Sequence, residues 1–190
     1  MTLKAYLENV FDSDTAGRIL EKSDRLYDEM LKEQKPRLSK AQLKPAKSKI
    51  LKRISVFLAM RDYEDEDKVL VHMKEFYYPR FEKLAKMLNK LTGTALGRSA
   101  FRKFFTVNLK KDVWKTTVKR SDGDALVFDI TECIYKSLCD HYGCSRCCEL
   151  FCDGDWMMFG GMRKLKFERK YTLGYGDHLC DFRFTSKKDE

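Results

Sequence analysis

The stretch DVWKTTVKRSDGDALVFDITEC, residues 112–133, decides the fold class. Two runs rich in Val, Thr, Phe and Ile, DVWKTTVKR and ALVFDIT, flank SDGD, a short turn signal, and such runs around such a turn read as a β-hairpin. Before this stretch the chain keeps a helical period, and after it helix and strand signals alternate.

Up to about residue 110 the apolar residues recur at helical spacing. Asp12, Ser13 and Asp14 offer N-cap side chains to a segment carrying Ile19, Leu20, Leu26, Tyr27, Met30 and Leu31. Pro36 and Pro45 bracket a polar connector, and Pro45 is expected in the first turn of the next helix. There Ile50, Ile54, Phe57 and Leu58 fall at i, i+4, i+7 and i+8, a core-facing stripe. EDEDK at 64–68 places carboxylates at a helix start. The helix that follows should bury Val69, Val71, Met73, Phe76, Tyr77, Phe81 and Leu84 and be kinked or split at Pro79. A shorter helix holds Phe101, Phe104 and Phe105, and these aromatic and Met stripes read as core rather than as a cofactor box.

Beyond the hairpin, CIYKSLCDHYG (133–143) reads as a helix stopped by Gly143. CSRCCELFCDGDWMMFGG (144–161) reads as a second helix ending at Gly160 and Gly161. KLKFERKYTLGYGDHLCDFRFTS (164–186) supplies two strands around a Gly-rich turn, with Leu165, Phe167 and Arg169 alternating against Lys164, Lys166, Glu168 and Lys170. N-terminal helices followed by ββααββ make an α+β fold with a mostly antiparallel sheet. One domain is expected, with a helical portion over 1–111 and an α+β portion over 112–190.

Composition sets further limits. With 43% hydrophobic and 35% charged residues, and only 3 Pro and 10 Gly, neither a disordered nor a collagen-like chain is a sensible reading. No run reaches the roughly 18 apolar residues of a membrane span, and MTLKAYLENVFDSD lacks an export h-region, so a cytoplasmic location without membrane contact is expected. Seven cysteines, an odd number, then argue for reduced thiols over a disulfide framework. A net charge of +9 raises nucleic-acid binding. The densest basic stretch, Lys44 to Arg53, is however interleaved with Ile50 and Leu51 and reads as the wet face of an amphipathic helix, which disfavours it. A small anionic substrate gains from the same positive field.

Six of the seven cysteines fall within residues 129–156. One C-x-x-C, Cys144 with Cys147, is too little for a zinc ribbon, and Cys148 and Cys152 stand at i and i+4, a spacing that packs small side chains as readily as it ligates. Packing is the expected role of most of these thiols, and no metal or cofactor site is assigned. There is no Walker, dinucleotide, G-x-S-x-G or H-E-x-x-H motif, and His72, His141 and His178 are isolated.

One ordered set of short motifs stands out: Cys133 in DITECIYKSL, Tyr142-Gly143, Cys152 and Asp155 in CDGDW, Arg169 and Thr172 in ERKYTLG, and Gly174, Gly176, Cys180, Asp181 and Phe182 in GYGDHLCDF. Over about 129–184 this set resembles the L-2-amino-thiazoline-4-carboxylic acid hydrolase family. Cys139, Cys144, Cys147 and Cys148 lie outside the shared pattern. The resemblance implies hydrolytic opening of a 2-aminothiazoline ring to N-carbamoyl-cysteine. Such chemistry needs a thiolate or an activated water to attack the amidine-like carbon. Cys152 or Cys180 is then the candidate nucleophile and Asp155 or Asp181 the candidate acid or base. Arg169, with Thr172 and Cys133, is the candidate for binding substrate, the guanidinium matching a carboxylate or pairing with Asp155. The alternatives are a non-catalytic small-molecule-binding or sensor domain and, behind it, a cysteine-ligated metal protein. The N-terminal helices could cover the pocket, form a homodimer or bind a partner.

Overall fold

The computed structural model describes residues 1–187; the last three residues of the expected α+β portion lie outside the described residues. The helical portion runs α1 (Leu3–Val10), α2 (Ser13–Gln34), α3 (Lys40–Pro45), α4 (Leu51–Met60), α5 (Glu66–Thr92) and α6 (Ala95–Leu109). Its starts are set by short polar side chains that accept from orphan backbone N–H groups: Asp12 from Thr15, Ser39 from Gln42, Asp65 from Lys68 and Thr94 from Gly97.

Pro45 departs from expectation, and of the kink or split expected at Pro79 the split does not occur. Pro45 ends α3 inside a continuous helical run instead of opening the next helix. The ladder shifts register directly after it through a π-turn, Ala46–Ile50, with Leu51 N–H donating to the Ala46 carbonyl. Pro79 does not split α5, which continues to Thr92. The carbonyl it deprives of a partner belongs to Glu75, on the exposed side of the helix, where water can satisfy it. Two residues of the expected apolar stripes also face outward. Val71 is 52% exposed because the inward arc of α5 runs through Val69, Leu70, Met73, Phe76 and Tyr77, and Phe104 is 65% exposed while Phe101 takes the buried position on α6.

The second portion is β1 (Trp114–Ser121), β2 (Ala125–Cys133), α7 (Ile134–His141), α8 (Glu149–Phe159), β3 (Leu165–Glu168) and β4 (Cys180–Ser186). A 3₁₀ turn, Ser145–Cys148, leads into α8, and another, Leu173–Tyr175, lies between β3 and β4. The sheet order is β1-β2-β4-β3 with every pairing antiparallel. The hairpin turn is closed by Asp122, whose Oδ1 accepts from the Asp124 and Ala125 N–H groups at 2.9 Å each. Left-handed backbone is instead reserved for Gly143, which ends α7, and Gly176, in the turn before β4.

Hydrophobic alternation fixes which face of the sheet is covered. Phe128, Phe182, Phe184 and Phe167 point to one side, where Phe101 and Phe159 pack on them. A second cluster joins α1, α2, α4, α5 and α7 and takes in Cys139, Cys144, Cys147 and Cys148. The functional candidates lie where these two clusters meet. No helix of the described residues is long and apolar enough to cross a membrane.

Candidate functional site

Cys148, which immediately precedes α8, and Cys152 and Asp155 on it succeed one another at i, i+4 and i+7 and therefore share a face. Arg169 follows Leu165 and Phe167 in the inward alternation of β3, which carries its guanidinium into the protein; only 1% of the side chain is exposed. Its Nη1 donates to Asp155 Oδ2 at 2.7 Å and its Nη2 to the Cys152 carbonyl at 2.8 Å, with the guanidinium carbon 5.2 Å from the centre of the Phe182 ring. Nε is buried and has no acceptor among the described residues.

Three thiols close the same region. Cys180 opens β4 on the covered face, and its sulfur accepts from Leu173 N–H at 3.2 Å. Cys133 ends β2, opposite Trp114 in the β1–β2 ladder. Cys152 lies under the second 3₁₀ turn, so close that a Cβ on Gly174 would fall 2.5 Å from its sulfur and 3.3 Å from that of Cys148. Glycine is required there because the backbone itself is the wall.

Electrostatics separates the carboxyl from the thiols. Burial pushes Asp155 up to about 6 despite the opposing pull of Arg169, although 26% of its side-chain surface remains exposed. Burial also pushes Cys133 up to about 11 and Cys180 up to about 12. The hydrogen bond with Cys148, then burial, drives Cys152 well above the ordinary thiol range. Each of these ionisations opposes another: charge on Cys152 disfavours charge on both Cys133 and Cys180. At neutral pH the site therefore presents neutral thiols, a fixed guanidinium and a carboxyl within reach of its titration midpoint, an arrangement suited to general acid–base work.

Of the residues singled out in the sequence, Cys133, Cys152, Asp155, Arg169 and Cys180 come together. Asp181 does not join them. It points to the other face of the sheet, opposite Asp129 in the register, and its Oδ1 accepts from the N–H groups of Lys170 and Tyr171 at 2.7 and 2.6 Å. Thr172 frames the Gly-rich turn: its N–H donates to Asp177 Oδ2 at 2.7 Å, and its carbonyl accepts from Tyr175 N–H.

Three neighbours escaped the sequence reading. Asp153 accepts from Tyr78 at 3.1 Å, from Tyr175 and from Lys74 at 2.8 Å, tying α5 and the turn to α8; its place in the D-x-D of CDGDW was the available signal. Tyr135 packs edge-on against Phe151 at 4.9 Å and parallel to Trp114 at 6.3 Å. Arg53 is not on the wet face of its helix but among the rings of Tyr77, Phe81 and Phe151. It stands at i+3 from Ile50, on the flank of the apolar stripe, and that spacing was legible.

Two shallow surface depressions lie apart from this constellation. One, of about 430 Å³, is lined by Leu109, Asp112, Trp114 and Thr116, and another, of about 380 Å³, by Arg102, Thr106 and Ser121. Trp114, which lines the first depression, faces Cys133 across the β1–β2 ladder. All seven cysteines are free, and among the described residues no group of three or more His, Cys, Asp or Glu is arranged to hold a metal ion.

A family model described as L-2-amino-thiazoline-4-carboxylic acid hydrolase matches residues 44–184, a span that includes the whole constellation and reaches back through α4. No curated protein and no solved structure matches the chain.

Proposed function

The chain belongs to the L-2-amino-thiazoline-4-carboxylic acid hydrolase family, and from that premise we propose that it hydrolyses a small cyclic amidine-like substrate of the 2-aminothiazoline kind. In this reading Asp155 is the general base. The observation that carries it is the Asp155–Arg169 pair: a carboxyl raised to about 6, held at 2.7 Å by a buried guanidinium that keeps one donor unused.

Asp155 takes a proton from water, whose oxygen attacks the ring carbon between nitrogen and sulfur. The carbon–sulfur bond then breaks, the ring nitrogen is protonated, and the sulfur leaves and ends as a thiol, giving the N-carbamoyl-cysteine skeleton. Arg169 fixes Asp155 and offers Nε to the substrate. Cys152, Cys180 and Cys133 stand around the pair as neutral groups able to donate weak S–H hydrogen bonds to the departing sulfur. Raised thiol pKa values favour activated water over thiolate attack, because a neutral thiol is a poor nucleophile.

The test is turnover of L-2-amino-thiazoline-4-carboxylate by purified protein, followed as released thiol, beside Asp155→Asn, Cys152→Ala and Cys180→Ala. Loss of roughly 10²–10⁴-fold in the Asp155 variant, with smaller losses in the cysteine variants, is expected. Abolition in one cysteine variant with activity retained in D155N would replace activated water by thiolate attack. A folded wild type that releases no thiol would overturn the hydrolase reading in favour of a ligand-binding module.

A further inference from the structure

Asp153 and Asp155 stand two residues apart on α8 and so leave the helix on different sides. Asp155 turns to Arg169, whereas Asp153 turns to α5 and to the Gly-rich turn between β3 and β4. Its Oδ2 accepts from Tyr78 at 3.1 Å and from Lys74 at 2.8 Å, and its Oδ1 accepts from the Tyr175 hydroxyl. Burial opposes the charge of Asp153, but Lys74, Tyr175 and Tyr78 together hold its pKa below the usual value, so it is an anion facing three donors. Tyr175 keeps its proton to give, since burial and the bond to Asp153 push its hydroxyl above the ordinary range.

The turn itself is bonded mostly to itself. Tyr175 N–H donates to the Thr172 carbonyl at 2.9 Å, Gly176 N–H to that of Leu173 at 3.1 Å, and Thr172 N–H to Asp177 Oδ2 at 2.7 Å. Leu173 is its anchor, because its side chain packs on the sheet core and its N–H donates to the Cys180 sulfur. Beyond that anchor, the hydroxyl of Tyr175 on Asp153 is the one polar contact from Gly174–Gly176 to another element among the described residues.

Three features make this segment able to lift. Gly174 rests on the Cys152 sulfur with no side chain interlocked, and Gly176 has a φ of +95°, so Tyr175 sits between two glycines. Tyr175 is 54% exposed, which sets its contact with Asp153 at the rim, where water can replace it. An opening that breaks one rim hydrogen bond and uncovers little apolar surface lies far below global unfolding in free energy.

We propose that Gly174, Tyr175 and Gly176 form a flap over the site, that Asp153 is the positioning residue that latches it through Tyr175, and that substrate enters when this latch opens. The identity of what enters rests on the hydrolase reading; the motion does not, and is measured with no substrate present.

The experiment labels thiols with methyl methanethiosulfonate, small and uncharged, in wild type, Tyr175→Phe and Asp153→Asn, and locates the modified cysteines by mass spectrometry. Cys152, beneath Gly174, reports flap opening, and Cys139, fully buried on α7, reports global unfolding. Losing a hydrogen bond to a charged acceptor corresponds to a flap about 10- to 100-fold more often open. Cys152 should therefore react about 10- to 100-fold faster in Y175F, with a smaller gain in D153N, where the amide oxygen still accepts, while Cys139 keeps its wild-type rate in both. A merely structural tie would raise Cys139 and Cys152 together, and a Cys152 rate that neither variant changes would mean there is no latch; either result overturns the proposal and leaves the hydrolase reading standing. Wild type alone supplies the second measurement, the Cys152 rate at rising urea below the unfolding transition. A local flap exposes little surface, so the rate should stay nearly flat. A rate that climbs in parallel with that of Cys139 shows that only global unfolding uncovers the sulfur, which overturns the flap.

Discussion

Replacing Asp155 by Asn tests the electrostatics of the site without reference to any substrate. The carboxyl titrates at about 6 in the folded protein against 3.8 in an unstructured chain. At 1.36 kcal/mol per pKa unit, the ionised form burdens the native state by about 3 kcal/mol. The burden is fully present above pH 6. As pH falls from 6 towards 3.8 the folded protein takes up the proton before the unfolded one, so stability rises with acidification over that window. Between pH 8 and pH 5 the wild type should gain about 1.4 kcal/mol relative to Asp155→Asn, which has no proton to take up there. At 2–4 °C per kcal/mol, for a chain of this size, the difference in Tm between the two proteins should move by about 3–6 °C in favour of the wild type. Scanning calorimetry at pH 8, 6.5 and 5 and one ionic strength measures it. Glu33 and Asp140, whose partners hold them below the usual carboxylate range, titrate alike in both proteins and cancel. A Tm difference that does not change with pH refutes the reasoning. A difference moving the other way would mean that Arg169 outweighs burial and that Asp155 is not poised for proton transfer near neutrality.

Two further outcomes follow from the packing. Gly174→Ala should cost about 1–3 kcal/mol, because its Cβ would lie 2.5 Å from the Cys152 sulfur; Cys152→Ala in the same chain should return part of that cost, and strictly additive losses in a urea double-mutant cycle would sink the close-approach explanation. Asp181→Ala removes the acceptor shared by the Lys170 and Tyr171 N–H groups and should destabilise by about 2 kcal/mol. Amide exchange at those two residues reports it, and unchanged protection there would show that the carboxylate does not hold this segment.

Much of the architecture was written in local chemistry. The hairpin was legible because β-branched residues flank SDGD, although Asp122 turns the chain by its side chain and Gly123 adopts no left-handed backbone. The inward place of Arg169 followed from period-two alternation with Leu165 and Phe167, and its partner was confined to Asp155 or substrate before any coordinates. Asp181, expected as an acid or base, falls on the face away from Cys180, which period-two alternation along β4 requires. What sequence could not supply was tertiary: Pro79 passes through α5 because its orphaned carbonyl happens to face solvent, and Val71 points outward because the neighbours of α5 subtend a narrower arc than its apolar residues do. Arg53 was misplaced for a different cause. Its charge was read as a reason for exposure, while its i+3 relation to Ile50 set it against α5 and α8, whose rings receive it.

Charge within the site constrains the form in which a substrate of the proposed kind reacts. Above pH 6 Asp155 is an anion paired with Arg169, while Cys133, Cys152 and Cys180 stay protonated because their pKa values are raised. A 2-aminothiazoline acid that binds with its amidine neutral leaves the Asp155 carboxylate free of an amidinium partner and able to act on water. Were the amidine to bind protonated, Asp155 would be tied up as its counter-ion and could not take the proton from water. The raised Asp155 and the neutral amidine therefore belong to one protonation state of the complex, the one in which the carboxylate is the base.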